Sequence, residues 1–282
     1  MTPDPLVSTA WLADRLADPA VSILDATWFM PGSPRDAARE YAAGHIPGAV
    51  FFPIDEICDH AATLPHMLSA PADFAKAVRR LGLNRASAVV VYDADGLFSA
   101  PRVWWNFRAM GHAATFVLDG GLPRWTAEGR ALESGWRRSS HGDFKVSQPN
   151  LNLVRDLEAV RRALAEKSEQ VIDARPAARF AGETPEPREG LRRGHMPGAL
   201  NVPWSSVVAD GALLAPNDLR LAFEASGVDL AAPIITSCGS GISAALLALA
   251  LARLGRPDVA VYDGSWTEWG GRADTPVATG SG

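Results

Sequence analysis

Cysteine is scarce in this chain, since only Cys58 and Cys238 occur among its 282 residues. Two cysteines cannot supply the crosslinks of a small secreted scaffold, so a disulfide framework is excluded and a reducing compartment is expected. The sequence also contains no Cys/His cluster with the spacing of a metal site. We therefore expect no metal and no cofactor, and any sulfur chemistry must use one of two isolated thiols.

Long apolar runs and an excess of basic residues are missing as well. The most apolar stretch, residues 244–254, is roughly half the ~20 residues that a membrane-spanning helix needs. The net charge is -5 and the pI is about 5.7, which argues against a general nucleic-acid binder. The N-terminus lacks the basic segment and apolar run of a secretory signal. We expect a cytoplasmic protein with no membrane or nucleic-acid partner.

The sequence contains an internal repeat. The box Gly-His-Ile-Pro-Gly-Ala at 44–49 recurs as Gly-His-Met-Pro-Gly-Ala at 194–199. Further along each copy, Asp-Gly pairs begin at Asp119 and Asp263 and set a common register. A chain of 282 residues with 47% hydrophobic composition is long enough for two cores. We predict two copies of one domain.

Each copy alternates short apolar or β-branched runs with helical stretches. In the second copy, strands are predicted near 171–173, 199–202, 234–237 and 259–262, with helices near 218–225 and 243–254. This alternation predicts α/β domains in tandem, each a mostly parallel sheet flanked by helices on both faces. We predict domains at 1–138 and 153–282, joined by a polar, exposed linker at 139–152 that contains glycine, proline and three serines.

Cys238 lies where a predicted strand ends and an Ala/Leu-rich helix begins, and residues 238–243 read Cys-Gly-Ser-Gly-Ile-Ser. A loop that opens a helix directs several backbone N–H groups to one spot, which stabilises an anion such as a thiolate. Gly239 and Gly241 let the backbone bend tightly round a large sulfur atom. We predict that Cys238 is a nucleophile. The repeat register places Ala94 opposite it, so only the second copy has the thiol.

The same loop excludes two other nucleophile classes. Cysteine phosphatases carry an arginine at the position that is Ala244 here, and a serine-hydrolase elbow needs Gly-x-Ser-x-Gly, whereas residues 239–241 read only Gly-Ser-Gly. Cys58 has no glycine loop after it and is interpreted as structural. His45 and His195 recur in both copies, including the copy without a thiol. We therefore predict that they are bonded to nearby backbone and support the Pro-Gly turns.

These motifs resemble tandem-domain rhodanese-like sulfurtransferases over nearly the whole chain. Thiosulfate sulfurtransferases carry Arg and Lys after the cysteine, but the loop at 238–243 has no basic residue. It is similar instead to the Cys-Gly-Ser/Thr-Gly-Val/Ile-Thr loop of 3-mercaptopyruvate sulfurtransferases, with Ser243 in place of the usual Thr. The resemblance implies that Cys238 takes sulfane sulfur from 3-mercaptopyruvate as a persulfide. Pyruvate is released, and the sulfur passes to a thiol or to cyanide.

The resemblance also implies the rest of the site. The segment 179–188 is similar to the loop that carries the two substrate arginines of these enzymes, which map to Arg179 and Arg188. Asp55 and His66 match a pair that is proposed to form a triad with the loop serine. The residues implied around the sulfur and the bound substrate are Ser240, Gly239, Gly241, Ile242 and Ser243. We expect the site in the cleft between the domains, where Trp104, Trp105 and Trp266 are candidates for shaping it.

Two alternative functions stay open at this point. The first is a thiosulfate sulfurtransferase, which uses the same persulfide chemistry with another donor. The second is a non-enzymatic sulfur carrier or interaction module, because inert rhodanese-like domains occur. The acceptor is not identified by the sequence, and thioredoxin or a small thiol is suggested only by analogy.

Overall fold

The computed structural model describes residues 4–137 and 140–280, and its first half forms a five-stranded parallel sheet with the order β1-β5-β4-β2-β3. Its strands are β1 (Leu6–Val7), β2 (Val21–Asp25), β3 (Val50–Phe51), β4 (Ala88–Tyr92) and β5 (Thr115–Leu118). The helices that connect and cover them are α1 (Thr9–Ala13), α2 (Ala37–Ala43), α3 (Pro71–Arg80), α4 (Ala100–Ala109) and α5 (Gly121–Ala127).

The second half repeats this topology, with a parallel sheet in the order β6-β12-β11-β7-β8 and a small antiparallel pair, β9 with β10. Its strands are β6 (Val154–Arg155), β7 (Gln170–Asp173), β8 (Leu200–Asn201), β9 (Val208–Ala209), β10 (Ala212–Leu213), β11 (Ile234–Ser237) and β12 (Ala260–Tyr262). Its helices are α6 (Leu157–Glu166), α7 (Ala177–Phe180), α8 (Pro216–Ala225), α9 (Ile242–Arg253) and α10 (Ser265–Gly271).

The central strands explain why both sheets are parallel and covered on both faces. In β4, Val89, Val90 and Val91 are all buried, and in β11 every residue is buried. Such continuous apolar runs suit strands with helices on each side, whereas a strand with one solvent-exposed face would alternate apolar and polar residues. The predicted α/β architecture with two tandem domains is confirmed.

Helix α9 joins the two halves. It is buried all round, from Ile242 to Ala252, because α4 of the first half packs against it. One apolar cluster consequently runs through both halves and includes Val103 and Leu247. Since α9 begins immediately after the cysteine loop, this contact holds the loop against the first domain.

The two copies of the Gly-His-x-Pro-Gly-Ala box form equivalent turns. His45 Nδ1 lies 2.9 Å from the carbonyl oxygen of Tyr41, and His195 Nδ1 lies 2.9 Å from that of Phe180. Each imidazole stacks on the aromatic ring of that same partner. The prediction that these histidines are bonded to nearby backbone is confirmed.

The segment between the sheets is mostly exposed, as predicted for the linker, but it carries one buried side chain. Residue 138, the predicted end of the first domain, and residue 139, the predicted start of the linker, lie outside the described residues. Of the remainder, Phe144 is buried against Phe74 and Phe107, and the Phe144 N–H donates to the Leu83 carbonyl. An aromatic side chain thus fastens a mostly polar segment to the first domain. No helix in residues 4–137 or 140–280 is long and apolar enough to cross a membrane.

Candidate active site

Cys238 follows directly after β11 and is 2% exposed. The Gly241 N–H donates to its Sγ at 3.1 Å, and Gly241 has a φ of 81°, in the left-handed region that favours glycine. The loop is also held from α10, because Thr267 donates to the Gly239 carbonyl from its N–H at 2.9 Å and from its hydroxyl at 2.6 Å. The thiol therefore lies in a rigid turn at the entrance of α9.

A cavity of about 380 Å³ opens above this thiol, between the two domains. The first domain contributes apolar side chains, namely Trp28, Met30 and Phe98. The second contributes the cysteine loop with arginines, prolines and a tryptophan, namely Cys238, Gly239, Ser240, Ile242, Ser243, Arg175, Pro176, Arg179, Pro187, Arg188 and Trp204. A small donor of a few heavy atoms fits this volume, with an apolar wall on one side and cations on the other.

Two of the lining arginines differ in how far their charge is already neutralised. Arg179 Nη2 bonds the carboxylate of Glu186, whose side chain is 1% exposed and which also contacts Arg175 Nη1 at 2.7 Å. Arg188 is partly exposed and has no carboxylate within salt-bridge distance among the described residues. Burial lowers the pKa of Arg188, but a guanidinium stays protonated in proteins. Arg188 is therefore the cation most available to an anionic ligand.

Asp55 and His66 do not line this cavity, but they contact each other and two residues that do, Trp28 and Arg188. His66 Nδ1 lies 2.9 Å from Asp55 Oδ1, and the Trp28 indole N–H donates to Asp55 Oδ2 at 3.0 Å. His66 Nε2 lies 3.2 Å from Arg188 Nη2. Since a guanidinium only donates, Nε2 must accept, so the proton of a neutral imidazole lies on Nδ1, the ring nitrogen nearer to Asp55.

The pKa values of this pair follow from burial and contact. Burial lowers the pKa of His66, an effect that its contact with Asp55 only partly offsets. The contact with His66 lowers the pKa of Asp55, so this carboxylate stays ionised. His66 is therefore a neutral proton acceptor at physiological pH.

Ser240 is buried and lines the cavity, but no hydrogen bond joins it to His66 in the part of the chain that the structure describes. The side chains assembled here are Asp55, His66 and Arg188. The triad of Asp55, His66 and Ser240 stays a prediction.

The first domain holds a carboxylate at the place that corresponds to the cysteine loop. Asp93 Oδ2 accepts the N–H groups of residues 98, 99 and 100 at 2.9, 2.9 and 2.8 Å. The repeat register aligns these amides with those of residues 242–244, and Asp93 with the uncharged Ser237. A carboxylate thus already occupies the helix entrance of the first copy, whereas the second copy leaves its own entrance to Cys238.

Three tryptophans proposed from the sequence do not line the cavity. Trp104 and Trp105 are buried in the core, and Trp266 packs under Arg175, 4.3 Å from ring centroid to guanidinium carbon. The tryptophans that do line it are Trp28 and Trp204. No sequence signal distinguishes these two, because the cavity wall is made from loops of both domains. No group of three or more His, Cys, Asp or Glu side chains within the described ranges could hold a metal ion.

The sequence analysis did not identify two charged residues that hold parts of the site, namely Arg102, which contacts the Gly241 carbonyl, and Glu186, which binds Arg179. Arg102 is a charge inside an otherwise apolar stretch of α4, and that is a detectable signal. Glu186 lies between Arg179 and Arg188 in the segment 179–188, but nothing in the sequence shows that it binds Arg179.

Comparison with known proteins agrees with this architecture. The rhodanese-like domain family matches residues 8–128 and again residues 156–272. The chain is 48% identical over 272 residues to 3-mercaptopyruvate sulfurtransferase from Escherichia coli (strain K12), which covers 96% of both chains. It is 43% identical over 287 residues to thiosulfate sulfurtransferase from Bos taurus, which covers 98% of this chain and 96% of the relative.

A solved structure shows the same fold. The crystal structure of SseA from Escherichia coli, a 3-mercaptopyruvate sulfotransferase with the rhodanese fold, superposes with a TM-score of 0.86 at 46% identity. The match covers 93% of this chain and 98% of SseA. Together with the duplicated sheet and the single cysteine loop, these similarities establish that the chain belongs to the rhodanese-like sulfurtransferase family, with two rhodanese-like domains in tandem.

Proposed function

We propose that this chain is a 3-mercaptopyruvate sulfurtransferase that carries sulfur as a persulfide on Cys238. One observation carries the proposal: the cysteine loop is uncharged, and the cations of the cavity, Arg188 and Arg179, project from another segment. A donor whose negative charge is a carboxylate, separated by two carbons from its sulfur, suits that arrangement. Planar guanidinium groups bind carboxylate and ketone oxygens well.

The first half-reaction balances without an external acid. The Cys238 thiolate attacks the donor sulfur, an S–S bond forms, and the C–S bond breaks to leave the enolate of pyruvate. The proton of the donor thiol ends on the enolate carbon, so the products are an anionic persulfide and pyruvate. His66, neutral and oriented by Asp55, is the group that we propose moves this proton. We propose that the Ser240 hydroxyl lies between His66 and the substrate and passes the proton from one to the other.

The second half-reaction returns the enzyme to its starting state. An acceptor thiol attacks the outer sulfur of the persulfide, takes it, and leaves Cys238 as the thiolate. Cyanide can act in the same way and yields thiocyanate. The amides of the turn at Gly239, Gly241, Ile242 and Ser243 stabilise the anionic persulfide in between. We propose a thiol acceptor of the cytoplasm, such as thioredoxin.

The test compares the two donors directly. Values of kcat/KM for 3-mercaptopyruvate and for thiosulfate are measured with the same acceptor, and the first is expected to exceed the second by at least about tenfold. Mass analysis after donor alone should show about 32 Da added to the Cys238 peptide, as for a covalent intermediate. Cys238→Ser is the control and should gain nothing. A higher kcat/KM for thiosulfate would overturn the proposed donor.

Thiosulfate sulfurtransferase is the second candidate, and the similarity to the bovine enzyme favours it. A thiosulfate dianion would use the same Arg188 and Arg179, so the comparison of kcat/KM separates the two activities. A non-enzymatic carrier would show no turnover with either donor.

A further inference from the structure

Arg102 is a buried cation of the first domain that the proposed reaction does not use. It lies in α4, its side chain is 0% exposed, and its guanidinium carbon lies 4.5 Å from the centroid of the Trp105 ring. It does not line the cavity above Cys238. A charge so far from water must be held by specific partners, and the identity of those partners indicates its role.

Two of the three polar partners of Arg102 belong to the cysteine loop and to His66. Nη1 lies 3.3 Å from the Gly241 carbonyl oxygen, and Nη2 bonds the carbonyl oxygen of His66. Nη2 also lies 2.7 Å from Asp263 Oδ1, at the end of β12. One guanidinium therefore connects the cysteine loop of the second domain to the histidine of the first.

The contact with Gly241 acts on the turn whose Gly241 N–H donates to the sulfur. The carbonyl that Arg102 holds belongs to the same peptide unit as the N–H of Ile242, at the entrance of α9. A cation on the carbonyl oxygen fixes the orientation of that unit and strengthens the N–H as a donor. The preceding peptide unit supplies the Gly241 N–H that reaches Cys238 Sγ.

The contact with the His66 carbonyl stabilises a backbone conformation that residues other than glycine rarely adopt. His66 has a φ of 62°, in the left-handed region. Arg102 binds its carbonyl, and Asp263 Oδ2 accepts the N–H of Leu68 at 2.7 Å, so the turn is fixed on both sides. Such a conformation persists only where the surroundings determine it, and this one directs the imidazole to Asp55 and Arg188.

We propose that Arg102 is a positioning residue that sets the distance and orientation between the Cys238 loop and His66 across the domain interface. This rests on the proposed function for the step in which His66 moves a proton. The role of Arg102 at Gly241 does not depend on which sulfur donor the enzyme uses. Because Arg102 does not line the cavity above Cys238, its loss should lower kcat and leave the KM of the donor nearly unchanged.

The test uses Arg102→Lys, which keeps the charge but cannot reach three acceptors at once. Arg108→Lys is the matched control. Arg108 lies on the same helix, stands over Trp104, and donates to the Pro257 carbonyl of the second domain at 3.1 Å, but it has no contact with the site. The expected result for Arg102→Lys is a fall in kcat of at least about tenfold with KM within about twofold of the wild type, since small misplacements of reacting groups are costly.

The control should keep kcat within about twofold of the wild type. The proposal is overturned if Arg102→Lys keeps its kcat, if both lysine variants lose kcat equally, or if KM rises while kcat stays the same. Thermal unfolding shows whether Arg102→Lys is folded. If it is not, the double variant Arg102→Met/Asp263→Asn, which removes the buried charge together with its partner, carries the same expectation for kcat.

Failure of the proposed donor can be told apart from failure of this inference. If the wild-type protein does not use 3-mercaptopyruvate, the proposed function is wrong, and the comparison of Arg102→Lys with Arg108→Lys is made with thiosulfate. A selective fall in kcat of the Arg102 variant with thiosulfate supports the role of Arg102 at Gly241. Equal kcat values for Arg102→Lys and Arg108→Lys with thiosulfate refute that role.

Discussion

Replacing Arg188 by alanine should weaken binding of a carboxylate donor and also change the pH dependence of the reaction. A charge-assisted hydrogen bond contributes about 1.5–3 kcal/mol, and 1.36 kcal/mol corresponds to a factor of ten. Arg188 is partly exposed, so solvent screening places its contribution near the lower end of that range. We expect the KM for 3-mercaptopyruvate to rise by about 10- to 30-fold.

The effect on pH dependence follows from the contact between Arg188 Nη2 and His66 Nε2 at 3.2 Å. Burial is the largest cause that lowers the pKa of His66, and the charges of Arg102 and Arg188 lower it further, while Asp55 acts in the opposite direction. Removing Arg188 removes a group that disfavours a protonated imidazole, so the pKa of His66 rises. If neutral His66 is the proton acceptor, the acidic limb of kcat/KM must move to higher pH.

The assay is a pH series of initial rates for the wild type, Arg188→Ala and the control Arg193→Ala, in which an exposed arginine of the same region is removed. The control should match the wild type in KM and in the position of the acidic limb. The reasoning is refuted if KM for Arg188→Ala stays within about twofold of the wild type, well below the range derived from the lost hydrogen bonds. A shift of its acidic limb to lower pH would also refute the assignment of His66.

Three further predictions concern the first-domain counterpart of the turn, the turn itself and the ion pair between Glu186 and Arg179. Ala94→Cys should not form a persulfide in mass spectra, whereas Ala94→Cys/Asp93→Ser should, because the Asp93 carboxylate occupies the amides that an anionic sulfur needs. Gly241→Ala should lower kcat by at least about tenfold, because φ is 81° and a Cβ would lie 2.5 Å from a guanidinium nitrogen; wild-type kcat would contradict this. Glu186→Gln should lower the free energy of unfolding in urea by about 3 kcal/mol, because it breaks a buried ion pair with Arg179; an unchanged unfolding midpoint would contradict this.

Much of the fold could be predicted from the sequence because its determinants are local. The strand at Ile234–Ser237 is an apolar run bounded by breakers, and its predicted bounds coincide with those of the structure. Helix α9 begins and ends within one residue of its predicted bounds, since a glycine precedes it and Gly255 lies beyond it. The burial of Phe144 was not predictable, because its partners Phe74 and Phe107 are distant in the sequence.

The candidate site could be predicted less completely. Cys238 and its glycines form a contiguous motif whose geometry follows from the strand, turn and helix around it. Trp28 and Trp204 carry no such motif and reach the cavity only because two domains pack face to face. The contact of His66 with Arg188, rather than with Ser240, depends on side-chain positions from both domains.

The sequence by itself determined that this chain is a duplicated α/β protein in which only the second copy has a cysteine in its glycine loop. Repeat register, β/α alternation and the residues next to Cys238 are all properties of short segments, and short segments obey local rules. Only the tertiary structure decided that Asp93 fills the amides of the silent copy and that Arg102 joins the cysteine loop to His66. The Asp93 contacts form within its own loop, where a buried carboxylate binds the nearest free amides. The Arg102 contacts arise because α4 packs against α9, and a buried charge must then find partners on whichever segments lie nearby.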